Sequence, residues 1–323
     1  MIDDLVRTMF APTCNRDSWV KRQALMNKVR AFFEARGVLE VETPVLSNAG
    51  GTDPQLDYFE VEGGHYMMTS PEFHMKRLLA SGFGDIFQIT KSFRKDESGS
   101  HHNCEFSMVE WYRVGMPQEK LMDEVEALVS EIIGQPIHAR RTRWIDAFRE
   151  YAGVDPFCES MDNFVCACNE RAIPVPEGLE RMSREDWWDY LMVFAVEPAL
   201  AKNGPEFILD YPQSQAALAQ TYVGEDGHTW ARRFELFVDQ VELCNGYTEL
   251  TDAAEQRRRF DADLEIRRQM GKPLPRKDEN FLAALESGMP ACSGVALGLD
   301  RLFMLALGKK EIKDVILFPS PIA

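Results

Sequence analysis

The stretch Phe93–Arg113, FRKDESGSHHNCEFSMVEWYR, decides the fold. It reads as two strands joined by a charged loop. The first strand ends at Arg94, and the loop carries Lys95, Asp96, Glu97, His101 and His102. Side chains of a strand alternate with period two, so Phe106, Met108, Glu110 and Tyr112 share one face of the second strand. Ser107, Val109, Trp111 and Arg113 share the other. One surface therefore carries an aromatic ring, a carboxylate and a phenol in a row. A plain core strand would not hold Glu110 in the middle of an apolar face, because an unpaired buried carboxylate is costly. Taken alone, the strand leaves two readings: a functional face, or a solvated face with Val109 and Trp111 toward the core.

Outward from this hairpin the periodicity is mixed. Residues 18–36 have a helical pattern with Val20, Ala24, Val29, Phe32 and Phe33 on one side, Ser18 as N-cap and Gly37 as stop. Val38–Leu46 reads as a short strand that Pro44 ends, with Thr43 held extended. Residues 58–68 form a hairpin around Gly63-Gly64. Thr69-Ser70-Pro71-Glu72 starts a helix with Pro71 at its first position. Residues 85–94 are a strand. Residues 117–133 are an amphipathic helix with Leu121, Val125, Leu128, Val129 and Ile132 as its stripe. From 136 to 206 the signal weakens into a mainly helical insertion. Strands are expected at 207–212 and twice within 232–250, with a turn near Asp239-Gln240. Helices follow at 252–270 and 278–287, then the strand CSGVALGLDR and a last helix. Hairpins with flanking helices imply an α+β fold built on a mostly antiparallel sheet.

The chain has 323 residues and a net charge of −16. That balance argues against a surface built to neutralise nucleic-acid phosphates, and it suits a basic partner or a small cationic ligand. No signal peptide and no run of about 18 apolar residues is present, so no membrane span is expected. Seven cysteines at irregular spacing suit reduced thiols in the cytoplasm.

Three distant stretches then line up: Gly37–Leu46 with Glu42-Thr43-Pro44, Phe93–Tyr112, and Gly294–Arg301. With the linking stretches Thr69–Glu72 and Glu242–Leu250, they resemble the three signature motifs of class II aminoacyl-tRNA synthetases. The resemblance covers nearly the whole chain. It is strongest toward the catalytic core of lysyl-tRNA synthetase, and within that group toward free-standing paralogues that modify a protein lysine. It implies a single catalytic domain over 1–323, with a class II synthetase-like antiparallel sheet flanked by helices and no anticodon-binding domain.

The resemblance also assigns roles. Arg94 and Arg301 are the catalytic residues, with Arg94 at the α-phosphate of ATP. An Arg fork there suits a carboxylate and a phosphate together, and charge builds at that point during in-line attack. Phe106 stacks on adenine and Arg301 covers its other face. Lys95, Asp96, His102, Asn103, Glu242, Leu243 and Gly298 complete the ATP contacts. Asp96 departs from the Glu usual at its position and is one methylene shorter. Ser70, Pro71, Glu72, Glu110, Tyr112, Asn245, Glu249 and Ala296 bind the amino acid. Glu242 and Glu249 are the carboxylates for Mg²⁺, and Glu249 also meets a substrate amine. Their spacing of seven is odd, so Asn245-Gly246 is expected to supply a bulge or turn between them.

Glu72, Glu110 and Glu249 in one cleft would repel unless cations neutralised them. Lysine and β-lysine each bring two ammonium groups. The first motif starts at Gly37, which leaves no room before it for an anticodon-reading OB-fold, so no tRNA acceptor is expected. Lysyl-tRNA synthetases generally carry Gly at the position of Ala296. The added methyl would crowd an α-amino group and favour a β-amino acid. The implied reaction activates (R)-β-lysine with ATP and Mg²⁺ and transfers it to a lysine of elongation factor P. The motif 1 helix and strand resemble a homodimer interface. The rival readings are a truncated lysine-activating synthetase, an amide synthetase of the same fold, and a non-catalytic regulator. A regulator has no need to retain Arg94, Glu242, Glu249 and Arg301.

Overall fold

A computed structural model describes residues 10–158, 160–178, 181–202 and 204–323. Two compact units emerge. One comprises the chain up to Ile137 together with Glu249–Ala323, and the other is His138–Thr248.

The first unit opens with helix α1, Arg16–Glu34. Its N-cap is Asn15 and not Ser18: the Asn15 Oδ1 accepts the Ser18 N–H at 2.8 Å. Its buried stripe is Ser18, Arg22, Leu25, Val29, Phe32 and Phe33, so Val20 and Ala24 face out. The apolar pattern misplaced the first turns because a charged residue, Arg22, occupies the inward side. Its guanidinium pairs with Asp300 at 2.6 Å, and both side chains are buried. Gly37 ends this segment at φ 67°, in the left-handed region that glycine enters without penalty.

Strand β1, Leu39–Glu40, then runs parallel to β5, Ile86–Phe93, which is antiparallel to β6, Glu105–Val114. Between β1 and β5 lie β2 (Leu46–Ser47), β3 (Glu60–Val61) and β4 (His65–Met67), a small three-stranded sheet, followed by helix α2, Glu72–Ala80. The turn between β3 and β4 uses Gly63 and Gly64, both at positive φ. Helix α3, Gln118–Ile133, buries the expected stripe against the larger sheet that holds β5 and β6, and its Glu124 accepts the Trp111 indole N–H at 3.0 Å. Phe33 stacks on Phe87 with ring centroids 4.5 Å apart, which packs α1 on the same layer.

In the second unit, β7 (Arg140–Arg143) runs parallel to β8 (Glu206–Pro212). β8 is antiparallel to β10 (Thr229–Val238), which also pairs with β9 (Thr221–Val223) and β11 (Val241–Thr248). Asp239 and Gln240 turn between β10 and β11 with positive φ at both positions, the geometry a tight hairpin needs. The stretch 136–206 supplies helices α4 (Trp144–Ala147), α5 (Asp162–Glu170) and α6 (Arg184–Leu191), and it also supplies strand β7. Trp144, Trp187, Trp188 and Trp230 are buried in its core.

The chain returns to the first unit with α7 (Ala253–Gln269), α8 (Glu279–Glu286), β12 (Cys292–Gly298) and α9 (Leu299–Ala306). β12 is antiparallel to β6. The sheets are thus largely antiparallel, with parallel pairs at β1–β5 and β7–β8. All seven cysteines are free thiols.

Candidate active site

Register builds the site. On β6, Glu110 lies between Gln88 of β5 and Ala296 of β12, and Tyr112 lies between Ile86 and Gly294. Glu110 and Tyr112 are both 2% exposed, which excludes a solvated face for this strand. A buried carboxylate needs partners, and Glu110 has two: the Tyr112 hydroxyl donates to its Oε1 at 2.6 Å and the Ser70 hydroxyl to its Oε2 at 2.7 Å. Ser70 Oγ also accepts the Glu72 N–H at 3.1 Å, so one hydroxyl fixes both Glu110 and the start of α2. Pro71 is the N-cap of α2, one position earlier than expected. Thr43 donates to Gln88 at 2.9 Å, tying the first motif to the strand beside Glu110.

Sequence reasoning missed Lys76. Its Nζ lies 2.6 Å from Glu72 Oε1 and 2.5 Å from Glu249 Oε2, and the residue is fully enclosed. The two carboxylates hold its ammonium protonated against the pull of burial. Burial pushes the Glu249 carboxyl up to about 8 despite Lys76. Burial, reinforced by Glu72, pushes Glu110 up to about 7. The signal for Lys76 was available, because Glu72 and Lys76 are four apart on one helix face, but a lysine in an amphipathic helix reads as a solvated one. Gly294, which opens the third motif, carries a steric constraint that the motif alone does not reveal. A Cβ there would stand 2.3 Å from the Tyr112 ring and 2.5 Å from Glu249 Oε1, so a side chain is excluded by close approach.

The loop between β5 and β6 gathers the second group. The Arg94 guanidinium lies 5.1 Å over the Phe106 ring and 3.5 Å from Glu97, and its buried Nε has no hydrogen-bond partner. Asp96 sits at φ 64°, which aspartate tolerates better than most residues. Its neighbour Lys95 donates its backbone N–H to the Asp57 carbonyl at 2.8 Å. Arg301, on the first turn of α9, donates to the His101 carbonyl at 3.2 Å and meets His102 Nε2 at 2.5 Å. Partial burial, and next the Arg301 cation, lower the His102 pKa, leaving a neutral ring able to accept that bond. Asn103 donates to the Glu105 carbonyl, and its Oδ1 accepts from the Ser320 N–H and hydroxyl at 2.8 and 2.9 Å. Asp300 accepts the Ser107 N–H at 2.7 Å and pairs with Arg22, so Arg301 follows a residue locked in the core. Gly298 is the N-cap of α9.

The first unit thus brings together Ser70, Pro71, Glu72, Glu110, Tyr112, Glu249 and Ala296 around the carboxylates. It also brings Arg94, Lys95, Asp96, His102, Asn103, Phe106, Gly298 and Arg301 to the loop and strand ends. Glu242, Leu243 and Asn245 belong to β11 of the second unit. The irregularity in β11 is not at Asn245-Gly246. Leu236 pairs with Cys244 and Phe237 with Glu242, so Leu243 is the extra residue of a bulge. The Asn245 Oδ1 is buried without a hydrogen-bond partner. Among the described residues, no group of three or more His, Cys, Asp or Glu side chains is arranged to hold a metal ion, and no helix is long and apolar enough to cross a membrane.

Residues 13–321 match the family described as tRNA synthetases class II (D, K and N). The chain is 42% identical over 317 residues to a protein of Avibacterium paragallinarum named elongation factor P--(R)-beta-lysine ligase, covering 95% of this chain and 96% of that one. It is 43% identical, with the same coverage, to proteins of the same name from Salmonella paratyphi A and Salmonella dublin.

Proposed function

The chain belongs to the class II tRNA synthetases (D, K and N), and from that premise we propose that it is an ATP-dependent ligase that activates (R)-β-lysine as an adenylate and transfers it to the ε-amine of a lysine on elongation factor P. The observation that carries this reading is the enclosed set Glu72, Glu110 and Glu249, packed beside Tyr112, Ser70 and Ala296. Such a set calls for a substrate with more than one ammonium group. The names of the relatives support the same reaction.

In the first step the β-lysine carboxylate attacks the α-phosphorus of ATP and pyrophosphate leaves. Arg94 stabilises the charge that develops there, and its buried Nε, without a partner in the protein, is a donor still to be satisfied. Phe106 and Arg301 enclose the adenine, and neutral His102 orients Arg301. In the second step the acceptor amine attacks the acyl carbon and AMP leaves. No side-chain nucleophile takes part. Catalysis rests on positioning and charge. Mg²⁺, bound with ATP, would supply positive charge at the phosphates. Glu242 on β11 would be the carboxylate toward the metal, and Glu249, which holds Lys76, fits an amine contact.

A protein acceptor suits the net charge of −16, which disfavours tRNA phosphates. The exposed Val20, Leu39 and Leu46, on the helix and strands of the first motif, support a homodimer through that surface. Free thiols throughout suit the cytoplasm. The test is pyrophosphate exchange with a panel of amino acids, followed by mass spectrometry of elongation factor P. Exchange with β-lysine and a matching mass gain on the acceptor are expected. A clear preference for α-lysine, or efficient charging of tRNA, would overturn the reading in favour of a truncated synthetase.

A further inference from the structure

We propose that Lys76 is a specificity-determining residue of the amino-acid pocket: its ammonium, locked between Glu72 and Glu249, cancels one of three carboxylates and leaves two for the two ammonium groups of the substrate. This deepens the reading above and rests on it.

A fully enclosed lysine is rare unless it is paired, because the charge loses its hydration. Lys76 is 0% exposed, so solubility gives no reason for its charge. Its two ion pairs, at 2.6 and 2.5 Å, consume one oxygen each of Glu72 and Glu249. The groups facing it come from every neighbouring element. Helix α2 gives Glu72, strand β6 gives Glu110 and Tyr112, and the segment after β11 gives Glu249. Strand β12 gives the Cys292 thiol, which burial pushes up, and α8 gives only the Phe281 ring, 5.8 Å from Nζ. Three anions against one fixed cation leave a deficit that a dication fills. With no cation in place of Lys76, a dication would leave one buried carboxylate unpaired. Without the cation the carboxylates repel one another more strongly, which raises the pKa of the set until one of them takes up a proton.

The test compares wild type, Lys76→Met, and the double variant Lys76→Met/Glu72→Gln in pyrophosphate exchange across pH 6–9.5. Methionine keeps the unbranched shape of lysine up to Cε without the charged Nζ, and the double variant restores a balance of two carboxylates. Lys76→Met is expected to lose about tenfold or more in kcat/KM for β-lysine at neutral pH, carried by KM for β-lysine and not by KM for ATP. Its acid limb should move up by about one pH unit or more. The double variant should recover about tenfold over the single one, since its charges balance again. If Lys76→Met does not fold, the double variant still decides the matter: folded with an acid limb like that of wild type, it supports the assignment, and folded with an acid limb raised by about one pH unit or more, it overturns it. A packing role predicts a loss equal at every pH and a double variant worse than the single one, and that pattern would also overturn the assignment. Wild type failing to exchange with β-lysine would sink the functional reading and this inference with it. An active wild type with Lys76→Met unmoved would remove only the Lys76 assignment.

Discussion

Gly294→Ala inserts a single methyl into the amino-acid pocket. Gly294 is not in the left-handed region, so the backbone accepts alanine and the whole effect is steric. The new Cβ would stand 2.3 Å from Tyr112 Cε1 and 2.5 Å from Glu249 Oε1. Carbon atoms in contact need roughly 3.5–4.0 Å, so the ring must retreat by more than an ångström. It has nowhere to go without cost, because Tyr112 is buried and donates to Glu110 at 2.6 Å. Overpacking of this kind costs about 1–3 kcal/mol. Losing a hydrogen bond to a buried carboxylate costs about 1.5–3 kcal/mol more. If about half of this falls on substrate binding, kcat/KM for β-lysine drops roughly 10–100-fold at about 1.4 kcal/mol per decade. KM for ATP stays within about twofold, because Arg94, Phe106 and Arg301 lie outside the contact. The assay is pyrophosphate exchange titrated separately in each substrate. A folded variant with KM for β-lysine unchanged would refute the claim that Gly294 sets the position of Tyr112 and Glu249.

Arg94→Ala should abolish adenylate formation while leaving the melting temperature near that of wild type. Normal exchange in the folded variant would remove its role at the α-phosphate. Ala296→Gly removes the methyl directly across from Glu110 and should raise activation of α-lysine relative to β-lysine by up to about 10–200-fold. An unchanged ratio would place the selectivity in the carboxylates instead. The free enzyme should also respond to pH with opposite signs in two assays. Glu110 is raised from 4.5 to about 7 and Glu249 from 4.5 to about 8, so the folded pocket holds more protons than the unfolded chain between those values. Stability without substrate therefore falls as pH rises through that window. kcat/KM for β-lysine rises over the same window, since ionised carboxylates bind ammonium groups. Parallel rather than opposed trends in melting temperature and kcat/KM would show that these carboxylates do not govern substrate capture.

Much of this site was legible from parity and spacing. Glu110 and Tyr112 fall on one face of a strand by alternation alone, and the residues on both sides of Gly63-Gly64 and Asp239-Gln240 predict their turns. Side chains whose environment comes from distant segments were less legible. Arg22 lies on the inward stripe of α1 because Asp300, far along the chain, meets it there. An apolar count therefore rotated the helix toward Val20. Lys76 is hidden for the same reason, since Glu249 reaches it from across the sequence. The bulge was expected at Asn245-Gly246 because glycine marks irregular backbone, yet it sits at Leu243. Strand register, which local composition does not encode, decides where the extra residue goes.

The two sides of the first unit are built on different physics. Beside Arg301 the anchoring is rigid: Arg22, Asp300 and Ser107 form a buried cluster linking α1, β6 and α9, so that cation lies at a fixed helix end. Around Glu110 the anchoring is equally rigid but the charge is not. Tyr112, Ser70 and Lys76 hold the carboxylates in place while burial holds their pKa values near neutrality. A substrate with two ammonium groups draws those carboxyls into their ionised form and is held by them. An acid with one ammonium group leaves a carboxyl that must stay protonated or stay buried and unpaired. At low pH that carboxyl is already protonated, so a poor substrate is penalised little. As pH climbs past about 7, the same carboxyl must take up a proton to admit the poor substrate, and the penalty grows with each pH unit. Discrimination between diamino and monoamino acids therefore tightens with rising pH, as long as the second amine of the substrate keeps its proton.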